Sequence, residues 1–478
     1  MDDSRLLPAC GPLAVLLLFG GALFLPGCGD GGADKPNLLL VTMDTTRADH
    51  LASYGYPIVT TPRVDGLAAR GVLIERAYAP MAQTLPSHAT LFTGVEPRVH
   101  GALENSYRLS PDLPTLAEIL EQQGYETAAV VGALALSSDT GLDRGFQSWS
   151  EPQTDTTKGP NHPAERPASE VTDEALAWIL GRGEEPFFLW VHYYDPHGPF
   201  RPPPGFLTTL ERSDVQKTLG KRLEEVADAP VAFESVVDTW HGYDAELEYM
   251  DSQIGRLLDG LEDRNLLDHT AIALVADHGE GLWEHGEKGH GVNVFEELVH
   301  VPLIFVEPES TTGGSRVSEP VRMSDVLPTL LSLVGVSADQ FSLEGRDVLS
   351  SVGSESSLAD RPVFLERPHY SPERLAWRNP ARGPVRYHYG VFVGVLAEGY
   401  KLVRDVDGTE SLYDLNQDPA ESVDLSKSDP QRREKMSGLL DEWLARHPIG
   451  APGEATDLSE ERAEQLRQLG YGGGPGGR

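Results

Sequence analysis

Two uninterrupted runs of apolar residues predict buried strands, and each run ends at an acidic residue. The first run, 37–43, leads into Asp44, and the second, 270–276, leads into Asp277 and His278. Runs of this length and composition are typical of central strands in a parallel sheet. Open α/β sheets bind ligands just beyond the carboxyl ends of such strands. The pattern therefore predicts one site that collects these two acids and the imidazole.

Apolar residues at helical spacing alternate with the predicted strands. A repeat that starts at Tyr243 and ends at Leu261 predicts an amphipathic helix leading into the second strand. Two further strands, 127–132 and 301–306, and a helix over 324–335 continue the alternation. The predicted fold class is α/β, with a large, doubly wound, mostly parallel sheet flanked by helices and joined by right-handed crossovers.

The pattern changes after about residue 361 to short strands separated by turns. Strands over 389–395 and 400–406, with glycines at 399 and 408, predict a smaller C-terminal α+β subdomain that carries a short antiparallel sheet. The predicted domain boundaries are a signal peptide at 1–27, a tether at 28–36, a catalytic domain at 37–360, the C-terminal subdomain at 361–447, and a tail at 448–478 whose glycine-rich end is disordered.

Thr84 stands at a predicted helix start. Pro86 is tolerated in the first turn, and Gly94 is suited to end the helix ten residues later. The first turn of a helix carries unpaired N–H groups and partial positive charge, so it attracts an anion such as sulfate or phosphate. The Thr84 hydroxyl is therefore predicted to face a bound oxyanion.

Carboxylate oxygens together with one imidazole suit a hard or borderline divalent cation. Asp44 or Asp277 taken alone is better explained as a helix cap. Two acids at strand ends with Thr84 between them in sequence favour a metal site instead. Calcium, magnesium, manganese and zinc all remain compatible with this set.

The order of the motifs resembles that of the sulfatases, in the alkaline phosphatase superfamily. The resemblance rests on Asp44, on Thr84-x-Pro86-Ser87-His88, on the segment 190–199, on Asp277-His278-Gly279 and on Lys288-Gly289-His290, and it extends to the stretch 411–419. It implies metal ligands at Asp44, Thr84, Asp277 and His278, catalytic roles for Thr84, His88 and His197, and substrate contacts at Asn105, Lys288 and His290.

Thr84 departs from the usual sulfatase pattern. Sulfatases of the well-known type place Cys or Ser here, oxidise it to formylglycine, and carry Arg four residues later, where this chain has His88. Threonine cannot give that aldehyde, so formylglycine is not expected and Thr84 is predicted to act as a metal-activated nucleophile. The superfamily's nucleotide phosphodiesterases and phosphoethanolamine transferases use threonine in this way.

The sequence thus predicts a metal-dependent hydrolase of sulfate or phosphate esters. Two alternatives stay open: a phosphoryl head-group transferase, and a catalytically weak binding lipoprotein that retains a metal site. The choice between sulfate and phosphate also stays open, because the residues that shape the pocket lie in loops without motifs. The expected partner is a small or glycan-linked anionic ester substrate.

The N-terminus resembles a bacterial lipoprotein signal. Arg5 precedes an apolar stretch over 13–24, and Leu25-Pro-Gly-Cys28 follows it. A dozen apolar residues are too few to span a bilayer. We therefore predict that Cys28 is lipidated and that the protein is anchored through this lipid in the bacterial cell envelope, facing the periplasm or the surface.

The chain is strongly acidic. Its 39 Lys and Arg residues face 74 Asp and Glu residues, which gives a formal net charge of −35. Nucleic acid is excluded as a partner because such a chain repels phosphate backbones. An anionic substrate would also be repelled globally, so it must be gathered locally by the metal, by Lys288 and by histidines.

Overall fold

A computed structural model provides the fold. It describes residues 35–152, 165–222, 225–227, 229–309, 313–351, 358, 361–367, 392–405 and 407–449. Cys28, the signal peptide, nearly all of the predicted tether and almost the whole predicted tail lie outside these residues, so the lipid anchor stays a prediction. Within the described ranges, none of the helices combines the length and the apolar character needed to cross a bilayer.

Fifteen strands are formed within the described ranges. They are β1 (Asn37–Met43), β2 (Val72–Tyr78), β3 (Glu126–Val131), β4 (Ser148–Ser150), β5 (Phe187–Tyr193), β6 (Thr270–Ala276), β7 (Gly281–Leu282), β8 (Lys288–Gly289), β9 (His300–Val306), β10 (Ser315–Val317), β11 (Val321–Arg322), β12 (Val363–Glu366), β13 (Val393–Ala397), β14 (Tyr400–Arg404) and β15 (Glu410–Asp414).

The helices lie mainly between the strands of the large sheet. They are α1 (Pro62–Arg70), α2 (Thr84–Thr93), α3 (Pro97–His100), α4 (Leu116–Gln122), α5 (Ala168–Gly181), α6 (Phe206–Thr209), α7 (Arg212–Leu219), α8 (Phe233–Glu262), α9 (Glu296–Val299), α10 (Val326–Leu333), α11 (Val348–Ser351) and α12 (Pro430–Arg446). Short 3-10 turns occur at Ala48–His50, Ala52–Tyr54, Leu134–Leu136, Ser138–Thr140, Leu267–His269, Glu284–Gly286 and Met323–Asp325.

Nine of the described strands form one mixed, mostly parallel sheet. Its order is β10-β2-β9-β6-β1-β5-β3-β4, with β11 also paired to β2. Strand β9 runs antiparallel to both of its neighbours, and the other pairings are parallel. Helices α1, α5 and α7 pack on α8, whereas α4 and α10 contact α2. The predicted α/β class, with flanking helices and a mostly parallel sheet, is confirmed.

The central strands are buried on both faces. Every residue of β1, β5 and β6 is buried, which is why their sequences read as continuous apolar runs rather than as alternating ones. The long helix α8 buries Tyr243, Leu247 and Leu261 as its spacing predicted. It begins earlier than predicted, at Phe233, because Val236 and Trp240 continue the same buried face.

A separate antiparallel sheet follows in the C-terminal region, in the order β12-β13-β14-β15. Side chains alternate along β12, so Val363 and Leu365 pack toward β2 and α9, whereas Phe364 packs against α12. The β13–β14 hairpin turns at Glu398 and Gly399, which both have positive φ, as a two-residue type I′ turn requires. The predicted antiparallel sheet is confirmed.

Two strand boundaries in this sheet differ from the sequence expectation. Strand β13 ends two residues later than predicted, at Ala397, because the tight turn lets the ladder continue to its edge. Strand β14 ends at Arg404, because the next residue, Asp405, donates its N–H to the Thr409 carbonyl and so leads into the following turn. Residues 389–391 and Val406 lie outside the described residues.

Candidate active site

The register of the large sheet brings the two strand-end acids together. Met43 at the end of β1 pairs with Ala276 at the end of β6, so Asp44 and Asp277 leave adjacent parallel strands at the same level. The Thr45 N–H donates to Asp277 Oδ1 at 3.2 Å. Asp44, Asp277 and His278 each offer a ligand atom, and these atoms all lie within 4.8 Å of one another. The predicted convergence of the three residues is therefore present.

The electrostatics of this cluster call for a cation. Among the described residues, neither carboxylate oxygen of Asp44, nor Asp277 Oδ2, nor His278 Nε2 finds a hydrogen-bond partner, although all four atoms are buried. Burial, followed by the negative charges of Asp277 and Glu280, raises the pKa of Asp44 well above its ordinary value. Three carboxylate oxygens and one imidazole nitrogen that lack hydrogen-bond partners in the described part of the chain fit a divalent metal ion.

Glycine is required directly after this acid–imidazole pair. A Cβ at Gly279 would lie 2.0 Å from the carbonyl oxygen of Glu297, so any larger residue would push the chain ending β6 away from α9. The Gly279 N–H also donates to the Leu298 carbonyl at 2.8 Å. This close approach fixes the direction in which Asp277 and His278 leave the strand.

Thr84 is the first residue of α2 and is fully buried. The helix ends as predicted at Gly94, whose φ of 68° lies in the left-handed region. The Asn105 side-chain oxygen accepts the Leu85 N–H at 2.8 Å, so Asn105 holds the first turn. Its amide nitrogen is buried and finds no hydrogen-bond partner within the described ranges. Asn105 therefore has an N–H donor available beside Thr84. This agrees with the predicted contact between Asn105 and the substrate, which stays a prediction.

The His88 ring lies near Asp277, with its Nδ1 3.7 Å from Asp277 Oδ2. Its Nδ1 lies 2.8 Å from the Thr84 carbonyl oxygen, which can only accept, so Nδ1 carries the hydrogen. Its Nε2 lies 3.1 Å from the Thr42 hydroxyl, which in turn accepts the Trp190 indole N–H at 2.9 Å. Burial lowers the pKa of His88, so the ring stays neutral. These contacts indicate that His88 supports the backbone of Thr84, and its catalytic role stays a prediction.

His192 is a site residue that the sequence analysis did not single out. It follows Val191 in β5, pairs with Thr42 of β1, and is completely buried. Its Nε2 lies 3.4 Å from Asp44 Oδ2, while the Gly132 N–H approaches its Nδ1 at 3.4 Å. The sequence feature that could have indicated His192 is that it is the single imidazole in a strand whose other residues are apolar or aromatic.

His197, His278 and His290 form a row of imidazoles beside the acids. The ring centroids of His197 and His290 lie 5.0 Å apart, and those of His290 and His278 lie 4.5 Å apart. Nδ1 of His290 is 3.3 Å from Glu280 Oε2. Lys288 is exposed, with its ammonium 5.2 Å from the centre of the Phe200 ring. The structure thus places His197 and His290 in a row with His278 of the acid–imidazole cluster and leaves Lys288 exposed.

The hairpin that carries Lys288 and His290 is anchored at several points. The Trp240 indole N–H donates to the Leu282 carbonyl at 3.1 Å. Arg47, which is buried, pairs with Glu284 at 2.8 Å. His285 lies flat on the Phe295 ring, with centroids 3.7 Å apart, and pairs with Glu297 at 2.8 Å. These contacts hold the segment from β7 to β8 in place against α8 and α9.

Asp195 and Glu246 form a hydrogen-bonded carboxyl pair beside the His197 loop. Asp195 Oδ2 accepts the Ala168 N–H at 2.9 Å, and Glu246 accepts the Arg201 N–H. Two carboxyl groups in contact share one proton, since both cannot ionise without strong repulsion. Burial, followed by the charge of Asp195, raises the pKa of Glu246 to about 9.

We expect this pair to make the folded protein less stable as the pH rises. The unfolded chain loses the Glu246 proton near its ordinary pKa of 4.5, whereas the folded chain keeps it up to about 9. Between these values the folded state binds one proton more, so the free energy of unfolding falls by about 1.4 kcal/mol per pH unit. Denaturant unfolding between about pH 6 and pH 8 measures this slope.

Glu246→Gln removes the titrating group and should flatten that slope, whereas Glu262→Gln, an exposed control on the same helix α8, should leave it unchanged. An unchanged slope in Glu246→Gln would contradict the shared proton.

A mostly parallel α/β sheet whose carboxyl edge gathers two acids, imidazoles and a helix start defines an ester hydrolase. The sequence model of the sulfatase family matches residues 36–336. The chain therefore belongs to the sulfatase family, whose members are hydrolases acting on sulfate ester bonds. The resemblance inferred from the motifs is confirmed.

Individual relatives extend over most of the chain. Human iduronate 2-sulfatase is 29% identical over 388 residues, which cover 63% of this chain and 70% of the relative. A solved structure in complex with its substrate, D-glucosamine-2-N,6-O-disulfate, superposes with a TM-score of 0.70 at 21% identity, covering 88% of this chain and all of the other. The phosphonate monoester hydrolase of Agrobacterium radiobacter gives a TM-score of 0.68 at 21% identity, covering 86% of this chain and 96% of the other. These two structures share the fold.

Proposed function

We propose that this sulfatase-family hydrolase cleaves sulfate or phosphate esters with Thr84 as the nucleophile, and that Asp44, Thr84, Asp277 and His278 hold one divalent cation beside it. The observation that carries the proposal is the cluster of buried ligand atoms at the ends of β1 and β6, which find no hydrogen-bond partner within the described ranges. A cation bound there would act as a Lewis acid that lowers the pKa of the threonine hydroxyl and offsets the charge of the ester.

The start of α2 binds the anion in this proposal. The positive end of the α2 dipole attracts the ester, and the amide nitrogen of Asn105 donates to one of its non-bridging oxygens. His88 and Asn105 hold the turn in place through Thr84 and Leu85, so the hydroxyl meets the sulfur or phosphorus in line. Lys288, exposed at the rim, attracts the anion against the net charge of −35.

The second half of the reaction releases the product from Thr84. In the first half, His197 or His290 donates a proton to the alcohol that departs as Thr84 attacks; in the second half, water cleaves the threonine ester. Sulfated sugars are the substrate class that the relatives suggest. One relative is named as an iduronate 2-sulfatase, and one solved structure holds D-glucosamine-2-N,6-O-disulfate as its substrate. The fold itself accommodates phosphonate monoesters as well, as the Agrobacterium enzyme illustrates.

A substrate and metal screen tests this function. The purified protein, stripped with a chelator, is assayed against nitrophenyl sulfate, nitrophenyl phosphate and a nitrophenyl phosphodiester, with calcium, magnesium, manganese or zinc added back. We expect turnover that requires a metal, with the phosphate esters hydrolysed at least as well as the sulfate ester. Absence of turnover with every ester and every metal would contradict the proposal.

A further inference from the structure

Two oxygen atoms hold one side of the His197 ring. Its Nδ1 lies 2.7 Å from the Gly198 carbonyl oxygen and 2.8 Å from the Tyr194 hydroxyl oxygen. A carbonyl oxygen can only accept a hydrogen bond, so Nδ1 carries the hydrogen. Tyr194 therefore accepts from this nitrogen as well, and the hydroxyl's own hydrogen points elsewhere.

That hydrogen points to Glu165, whose carboxyl group hydrogen-bonds to the side chain of Tyr194. Glu165 is fixed in turn by a backbone bridge to Ala133, just after strand β3. The rings of Tyr194 and His197 are stacked, with centroids 4.5 Å apart and planes at 20°. A carboxyl group, a hydroxyl group and an imidazole thus form one chain, the Glu165–Tyr194–His197 chain.

The segments that carry this chain are joined at a second point. Asp195, next to Tyr194, accepts the backbone N–H of Ala168 at the start of α5, three residues after Glu165. Two independent hydrogen bonds therefore fasten the His197 loop to the segment before α5. A connection of this kind fixes the orientation of an imidazole more firmly than stacking alone.

We propose that Glu165 and Tyr194 are positioning residues for His197, holding its Nδ1 protonated so that Nε2 meets the leaving oxygen of the ester. The inference deepens the proposed function and rests on it. In the first step the Nε2–H bond of the protonated ring breaks as the O–H bond of the departing alcohol forms. In the second step the neutral Nε2 takes a proton from the attacking water. The hydrogen on Nδ1 stays in place, so Glu165 and Tyr194 transfer no proton.

The groups around the chain act on the protonation of the ring in opposite directions. Burial raises the pKa of Glu165 to about 7; the hydrogen bond from Tyr194 and the charge of Arg201 oppose the rise, and Asp195 adds to it. Burial, followed by His290, lowers the pKa of His197 to about 3; Glu280 and the Gly198 carbonyl oppose this, and His278 adds to it. Burial and the neighbouring imidazoles therefore oppose the protonated ring that the first step needs, and the negative charges of Glu280 and of an ionised Glu165 counteract them.

Leaving-group dependence separates this role from a merely structural one. Glu165→Gln keeps a side chain that accepts from Tyr194 but removes the charge, and Tyr194→Phe keeps the stacked ring. At about pH 8 each variant should lose at least roughly tenfold in kcat/KM on a sugar ester, whose alcohol needs a proton to leave. The loss on a nitrophenyl ester of the same acid, which leaves without one, should stay within about threefold. Glu170→Gln, an exposed control in α5, should change neither value.

Nuclear magnetic resonance of histidine labelled with nitrogen-15 gives a readout that needs no turnover. In the wild type, Nδ1 of His197 should carry the hydrogen, and its pKa should fall by roughly half a unit to one unit in Glu165→Gln. An equal loss on both esters, or an unchanged His197 spectrum in both variants, would overturn the inference. A wild type that cleaves no ester would refute the proposed function, and the spectra would then decide the inference by themselves.

Discussion

Replacing Thr84 with Ala is expected to lower kcat/KM by on the order of 10³-fold or more on whichever ester the wild type cleaves best. The substitution removes the hydroxyl of Thr84, the first residue of α2. It leaves Asp44, Asp277 and His278 able to hold the cation. Steady-state kinetics with metal in excess measure the loss.

Thr84→Ser is the matched control for this experiment, because it keeps the hydroxyl and removes only a methyl group. It should retain activity to within roughly tenfold. Melting temperatures of both variants check that the fully buried site tolerates the change. Near-normal turnover in Thr84→Ala would show that Thr84 is not the nucleophile and that a water molecule attacks instead.

The same residue sets the expected preference among esters. A formylglycine hydrate carries a second hydroxyl that expels sulfate by elimination, whereas a plain threonine ester must be cleaved by water. Phosphate esters should therefore be hydrolysed at least as well as sulfate esters, and peptide mass analysis should find Thr84 unmodified. A strong preference of the wild type for sulfate would contradict this reasoning.

The sequence predicted the elements that are decided locally. Strands β1 and β6 begin and end where predicted, because buried parallel strands give continuous apolar runs that stop at charged residues. Helix α2 ends at Gly94, where only the backbone freedom of glycine makes the left-handed turn easy. The convergence of Asp44 and Asp277 followed from the general rule that ligands bind at the carboxyl ends of neighbouring strands.

Contacts decided by strand order could not be predicted from one sequence. His192 approaches Asp44 because β5 pairs directly with β1, on the side away from β6. No local sequence pattern specifies which strand takes that place. The hydrogen bonds that hold the His88 ring involve Thr42 and Trp190, which lie on two different strands. Glu165 lies in a polar stretch whose sequence gives no sign that its carboxyl group meets Tyr194.

Asp44→Asn is expected to raise the melting temperature when metal is absent and to lower it, relative to the wild type, when metal is present. In the stripped protein Asp44 is a fully buried carboxyl group with no hydrogen-bond partner among the described residues, and burial together with repulsion from Asp277 and Glu280 makes its ionisation costly. The neutral amide removes this repulsion, so stripped Asp44→Asn should melt at a higher temperature than the stripped wild type. Differential scanning calorimetry of both proteins after chelation measures the difference.

With metal added, the order of stabilities should invert. A cation at about 100 times its dissociation constant stabilises the wild type by about 2.7 kcal/mol, whereas the variant has lost one anionic ligand and binds more weakly. Asp268→Asn is the control: it makes the same chemical change near the opposite end of β6, where the side chain is exposed, and should respond to metal as the wild type does. If Asp44→Asn were less stable than the wild type without metal, or gained as much from it, Asp44 would be a structural acid rather than a ligand. Because the two conditions predict opposite signs, a general loss of packing at this site cannot imitate the result.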